Sequence, residues 1–246
     1  MTIVPHSGDA ASYAARVARN VPALHDLHLM TGLLLAEHVP ETGHVLALGA
    51  GGGLELRALT ERHPGWQFTG VDPSAPMIDQ ARATMGDLAD RARFIEGYID
   101  DAPDGPFDAA VCLLTLHFLP RLERLRTLRQ LGGRLRPGAP LVVAHHSFPK
   151  HNGQDDLWLR RNADLLIARG VPADQAQRGI EMMKERLPVL SPEEDEALLG
   201  EAGFQDIQLF FAAFTFKGWV ALRECVGRTG SRREWRTAPL WPHHRH

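Results

Sequence analysis

The sequence predicts an α/β protein: a mostly parallel sheet of seven strands, an N-terminal helical cap and an inserted helical pair. Three observations carry this. Residues 44–146 alternate short apolar runs with amphipathic stretches, as parallel strands joined by right-handed crossover helices do. The first apolar run opens directly into Gly49-Ala50-Gly51-Gly52-Gly53, a strand meeting a glycine turn. Residues 107–114 are continuously apolar, the mark of a strand covered on both faces.

The elements follow in order. Residues 10–19 and 22–38 read as helices. Leu24, Leu27, Met30, Leu33 and Leu34 recur at helical spacing, Pro22 stands at a helix start, and Pro40 with Gly43 ends the segment. Residues 44–48 form the first strand and 54–62 a helix stopped by His63-Pro64-Gly65. Residues 66–71 form a strand ending at Asp72, and Pro73-Ser74 opens a helix over 75–85. A short strand at 93–96 precedes an acidic loop with Asp100, Asp101 and Asp104, followed by the strand at 107–114. Residues 121–136 read as an amphipathic helix with Leu122, Leu125, Leu128, Leu131 and Leu135 as its apolar stripe. Pro137-Gly138 leads into a strand at 140–145. Residues 151–187 read as a helical pair divided near Gly170-Val171-Pro172. Ser191-Pro192-Glu193-Glu194 is a strong helix start, and 207–211 and 214–220 close the sheet. The tail at 228–246, rich in Arg, Pro and His, is expected to be loosely ordered. The whole chain is expected to form one domain, with 1–40 as cap, 44–146 as nucleotide-binding core, 151–187 as insert and 191–222 as closing helix and hairpin.

Composition bounds the function. The chain has 246 residues, 44% hydrophobic and 23% charged, so disordered and fibrous classes are excluded. A net charge of −3 implies no chain-wide attraction to nucleic acid or anionic membrane. Two cysteines, Cys112 and Cys225, make neither a disulfide framework nor a Cys-only zinc site. His25 and His28 share a helical face but lack a third ligand, so no metal is expected. Residues 1–20 contain Asp9, Arg16 and Arg19 and no apolar signal region, and the apolar run at 24–35 is broken by His25, Asp26 and His28. A cytoplasmic protein without membrane attachment is the expectation.

In a sheet of this kind ligands sit at the carboxyl ends of the strands, at the switch point. Glycines let the backbone approach a ligand, and the following helix offers free N–H groups to a negative group. Asp72 follows Gly49 by 23 residues, at the end of the second strand, where a carboxylate accepts hydrogen bonds from the hydroxyls of an adenosine ribose. The dinucleotide pattern G-x-G-x-x-G fails, because its third glycine would fall on Leu54.

The spacing G-x-G-x-G resembles the first motif of class I S-adenosylmethionine (SAM)-dependent methyltransferases, which implies a Rossmann-like, seven-stranded, mostly parallel sheet with an antiparallel last strand. Val71-Asp72-Pro73-Ser74-Ala75-Pro76-Met77 resembles their second motif, and Glu96-Gly97-Tyr98-Ile99-Asp100 the segment flanking the adenine. The segments 107–111 with 116–119, 135–141 and 202–204 resemble their fourth strand, the turn into the fifth and the closing hairpin. Within the superfamily the chain is most similar to carboxy-SAM synthase and its relatives, through Asn20-Val21-Pro22, residues 115–119 and Ala202-Gly203-Phe204. It departs from the pattern at Ala47, where an acid is usual two residues before the first glycine, at Tyr98 and at Leu113. The synthase's carboxylate-binding arginine has no counterpart, so carboxy-SAM activity does not carry over.

The resemblance implies SAM as cofactor, held by Gly49, Ala50, Gly51, Gly53, Asp72, Pro73, Met77, Tyr98, Ile99 and Leu114. It implies in-line methyl transfer to a small, partly apolar molecule. A tRNA-modifying enzyme of the synthase type and a non-catalytic SAM-binding protein are the alternatives, and a homodimer is left open. His117, just past the fourth strand, and His145 are the candidate proton acceptors; alternation along the fifth strand lets only one of His145 and His146 face the pocket. Tyr13, Leu24, Met30, Trp158, Met182 and Met183 are the candidate acceptor lining, since methionine adapts to irregular ligands and tryptophan stacks on flat rings. The arginines at 121, 124, 126, 129, 134 and 136 read as a solvated helix face, or alternatively as a phosphate-binding stripe.

Overall fold

The computed structural model of the protein describes residues 10–225. The tail at 228–246, with Arg228, Arg232, Arg233, Trp235 and Arg236, lies outside the described residues.

Seven strands form one sheet in the order β3-β2-β1-β4-β5-β7-β6. They are β1 (His44–Leu48), β2 (Gln67–Asp72), β3 (Ala92–Glu96), β4 (Ala109–Leu113), β5 (Pro140–His146), β6 (Phe204–Ala213) and β7 (Phe216–Arg223). The first five pair in parallel, and β7 runs antiparallel to both β5 and β6. The order reverses between β1 and β4, which places the switch point where the glycine turn leaves β1.

The helices are α1 (Ala10–Asn20), α2 (Leu24–Ala36), α3 (Leu54–Arg62), α4 (Ala75–Met85), α5 (Arg121–Arg134), α6 (Gln154–Ala168), α7 (Ala173–Arg186) and α8 (Pro192–Glu201). The inserted pair therefore breaks at Gly170-Val171-Pro172, where the sequence places the division. The α8 start is the reciprocal cap its sequence announces: Ser191 N–H donates to Glu194 at 2.8 Å, and Glu194 N–H donates to Ser191 Oγ.

Alternation along the strands sorts the core into two layers. Leu46, Ala110, Cys112, Leu141 and Val143 pack against Leu125, Leu128 and Leu131 of α5 and Leu198 of α8. Val45, Ala47, Val111, Val142 and Ala144 pack on the other face, with Leu27 and Leu35 of α2 and Leu56 and Leu59 of α3. The insert carries a small core of its own, from Phe148, Leu159, Ala163, Ala176, Ile180 and Val189.

The stripe expected on α5 is buried at Leu125, Leu128, Leu131 and Leu135 and departs only at its first position. Leu122 is 76% exposed, whereas Arg124 is 0% exposed and packs inward beside Leu125 and Leu128. A buried acid on α8 draws the guanidinium in, as described below, and that outweighs leucine's preference for the interior at position 122.

Candidate active site at the carboxyl edge

The glycine turn is built by close approaches, each of which requires glycine. Gly49 has φ +73°, and a Cβ there would lie 2.0 Å from Thr115 Oγ1. Gly53 has φ +79°, and a Cβ there would lie 2.8 Å from Ala81 Cα, so the third glycine lets α3 pack directly on α4. Gly49 and Ala50 N–H groups both donate to the Val71 carbonyl, at 2.8 and 3.1 Å.

Asp72 joins the two halves of this edge. Its Oδ2 accepts from Gly51 N–H at 2.9 Å and its Oδ1 from Ser74 N–H at 3.0 Å. Burial raises its pKa, and these two N–H groups oppose the rise. Each carboxylate oxygen keeps a lone pair beyond its backbone bond, which is what a ribose diol needs. Met77 is half-buried, and its methyl lies 3.8 Å from where a Gly51 Cβ would be. Pro73 is exposed.

Two groups at this edge escaped the sequence reading. Tyr13, expected only to line the acceptor pocket, lies on the glycine turn itself. Its ring covers Gly52, and its hydroxyl oxygen accepts from Gly52 N–H at 3.2 Å. Glu55, in the first turn of α3, is 8% exposed, and its Oε1 has no hydrogen-bond partner among the described residues. Burial first, and the Asp72 charge second, push its carboxyl up to about 8. An acid in a helix's first turn is ordinarily a solvated complement to the helix dipole, so nothing local in the sequence marks this one as buried.

The expected adenine flank is only partly assembled. Tyr98 is 63% exposed, whereas Ile99 is turned into the core that lies under α5. Leu114 takes φ +58° just past β4, and its N–H donates to the Ala144 carbonyl at 2.5 Å. A non-glycine residue held there stores backbone strain at the switch point.

The histidines separate as alternation requires. His145 follows Leu141 and Val143 onto the α5–α8 face. There its Nε2 lies 3.2 Å from Asp195 Oδ2, off the hydrogen-bond direction. Asp195 is also bonded by Arg124 Nη1 at 2.5 Å. His145 thus belongs to a buried ion cluster rather than standing beside His117, which corrects its place among the candidate proton acceptors. His146 takes the other face. Its ring meets His117 edge-on with centroids 4.9 Å apart, and its backbone N–H points at His117 Nδ1 at 3.5 Å. Its Nδ1 is 2.9 Å from Thr215 Oγ1, whose hydroxyl donates to Asn162 Oδ1 at 3.2 Å. Burial drives the pKa of both rings down, that of His146 to about 3 and that of His117 well below the usual histidine range.

Of the expected acceptor lining, Leu24 and Met30 pack against the α2–α3 layer, and Trp158 and Met183 against the insert's own core. Met182 is exposed and lies outside that packing. Cap and insert meet where Arg169 Nη1 donates to the Ala18 and Arg19 carbonyls at 3.3 and 3.0 Å. The arginines of α5 and the residues after it are all engaged. Arg121 and Arg129 pair with Glu201, Arg126 with Glu123 and Asp100, and Arg136 with Asp108; Arg134 bonds the Ala102 carbonyl. They therefore form no row of unpaired guanidiniums. A cavity of about 540 Å³ bounded by His44, Thr69, Arg91 and Phe107 opens at the amino ends of the strands, the edge away from the switch point. Among the described residues no group of three or more His, Cys, Asp or Glu is placed to hold a metal, and no helix is long and apolar enough to cross a membrane.

Residues 46–141 match the family described as a methyltransferase domain. That segment is therefore a methyltransferase domain by its match. Its curated relatives include the carboxy-SAM synthase of Chromohalobacter salexigens, 28% identical over 87% of this chain and 81% of that protein. Another is the carboxy-SAM synthase of Desulfotalea psychrophila, 25% identical over 83% and 85% of the two chains. Among solved structures, human N-acetylserotonin methyltransferase in complex with SAM superposes with a TM-score of 0.58 at 17% identity, over 82% of this chain. This chain spans about half the length of that enzyme, 52%. The carbon methyltransferase CurJ gives a TM-score of 0.57 at 16% identity, over 79% of this chain and 54% of that one. At these identities the likeness is one of fold alone.

Proposed function

We propose that the protein methylates a small, partly apolar acceptor, with His146 and His117 receiving the acceptor's polar atom. When bound, SAM supplies a methyl on a sulfonium, open to in-line attack by a nucleophile. Three features of the site fit that cofactor: the glycine cradle, the spare lone pairs of Asp72, and the uncapped start of α3, whose N-cap Gly53 offers no side-chain hydrogen bond. Gly49, Ala50, Gly51, Gly53 and Asp72 would hold it, with Met77 and Leu114 beside them.

The carrying observation is the chain His146–Thr215–Asn162 next to His117. Thr215 gives its hydroxyl proton to Asn162, so it accepts from His146, which puts the neutral ring's proton on Nδ1 and leaves the Nε2 lone pair free. His117 accepts at Nδ1 from a backbone N–H, so its Nε2 carries the proton and serves as a donor. One ring thus takes a proton while the other donates a hydrogen bond to the acceptor. A weak base suffices, because methylation makes the acceptor's own proton strongly acidic; the lone pair needs only to be free at neutral pH.

The test is S-adenosylhomocysteine formation from SAM with panels of phenols, catechols and amines. His146→Gln should lower kcat at least about tenfold with little change in SAM affinity. Failure of calorimetry to detect SAM or S-adenosylhomocysteine binding ends the reading. Tight SAM binding without turnover on any acceptor points instead to a non-catalytic binder, and salt-dependent tRNA binding to a nucleic-acid substrate.

A further inference from the structure

Resting on that cofactor site, we propose that Glu55 receives the ammonium group of the cofactor's amino-acid moiety, in a chain that lacks the acid usual at position 47. Here position 47 is alanine, fully buried on the α2–α3 face and offering no charge. Glu55 stands two residues past Gly53, and its Oε1 is buried without a partner among the described residues. A native fold rarely leaves a buried carboxyl oxygen unsatisfied unless something else completes it. The side chains that face it are Asp72 from β2, Tyr13 from α1 and Cys112 from β4, and its own backbone N–H is the one polar group that favours its charged form. These place the carboxyl between β2 and β4, at the end of β1, where the glycine turn sits. None of the three is a cation, and Asp72 adds a second acid. The site is therefore short of positive charge in a setting where an ammonium group pairs strongly. The neighbouring N–H groups of the α3 start suit a carboxylate, so this one turn of helix offers both halves of a receptor for an amino-acid zwitterion.

The proposal has a proton signature. A carboxyl titrating at about 8 is roughly nine-tenths protonated at pH 7. An arriving ammonium ionises it, and the proton leaves to buffer. Isothermal titration calorimetry at pH 7, in buffers of different ionisation enthalpy, should show close to one proton released per SAM bound. S-adenosylhomocysteine, which keeps the ammonium but lacks the sulfonium charge, should release the same. 5′-Methylthioadenosine, which has neither, should release none. Glu55→Gln should abolish the release and weaken SAM about 10- to 100-fold. It should leave 5′-methylthioadenosine affinity unchanged, which also shows that the variant is folded. Unaltered SAM affinity in Glu55→Gln, no proton release in the native protein, or release with SAM but not with S-adenosylhomocysteine overturns the proposal. A native protein that binds 5′-methylthioadenosine and SAM equally overturns it while leaving the nucleoside site intact. One that binds neither overturns the cofactor site and this proposal together.

Discussion

Asp195→Ala is expected to cost about 3–5 kcal/mol of stability. Arg124 is 0% exposed and holds three partners: Asp195 Oδ1 at 2.5 Å, the Pro188 carbonyl at 3.0 Å and the Leu119 carbonyl at 3.4 Å. Only Asp195 neutralises its charge. Removing that carboxylate leaves a buried guanidinium with dipoles alone, the case in which breaking a buried pair is most damaging. In a domain whose whole stability is about 5–15 kcal/mol, the loss is a large fraction, and it lowers Tm by roughly 6–20 °C. Replacing both partners, as in Arg124→Met with Asp195→Leu, removes the desolvation cost along with the attraction and should be far milder, within about 2 kcal/mol. The assay is urea unfolding followed by circular dichroism, native against single and double variants. An Asp195→Ala loss below about 1 kcal/mol, or a double variant worse than the single, would refute the reasoning. pH adds a second readout. Burial raises Asp195, but His145 and Arg124 pull it down further, so its folded pKa lies below the unfolded one. Its contribution is present above the unfolded value, near 4, and is lost as pH falls through the folded one; the double variant should lack that part of the acid transition.

Three further outcomes are expected. Asp72→Ala should weaken SAM by roughly 1.5–3 kcal/mol, measured by calorimetry, because two hydroxyls lose a charged acceptor and Gly51 N–H its anchor; an unchanged dissociation constant removes Asp72 from the site. The folded protein resists protonating His146 until about pH 3, whereas the unfolded chain takes up that proton near 6.5, so stability drains as pH falls between the two. His146→Gln should flatten that slope in urea titrations, and an unaltered slope would show that the ring is not held neutral. Binding of S-adenosylhomocysteine should slow amide exchange in α1, α2, α6 and α7 if the cap and insert close over the carboxyl edge; no added protection there means that neither is a lid.

Much of the architecture was legible because each signal was local. The first strand could be read from an apolar run meeting glycines, and α8 from Ser191 and Glu194. The failures share one cause, which is a partner far along the chain. Glu55 is buried beside a turn that Tyr13, 42 residues before it, covers. Arg124 is buried because Asp195, 71 residues later, meets it. Alternation showed that His145 and His146 diverge but not which faces His117, since the absolute face of β5 is set by what covers it. Tyr98 illustrates the converse: motif position suggested an adenine contact, yet its ring is largely in solvent.

Arg169 gives the first described helix a second fastening. Tyr13 fixes α1 near its beginning to Gly52, and Arg169 fixes its end through Ala18 and Arg19. Only 11 residues separate helix start from finish, too few for an isolated helix to persist in water. Such a segment does not unravel from one end; it is held at both and releases as a unit, a latch with a single opening free energy. Its amides should therefore share one opening free energy, to which both fastenings contribute, and the glycine turn and the insert should feel its release at the same moment.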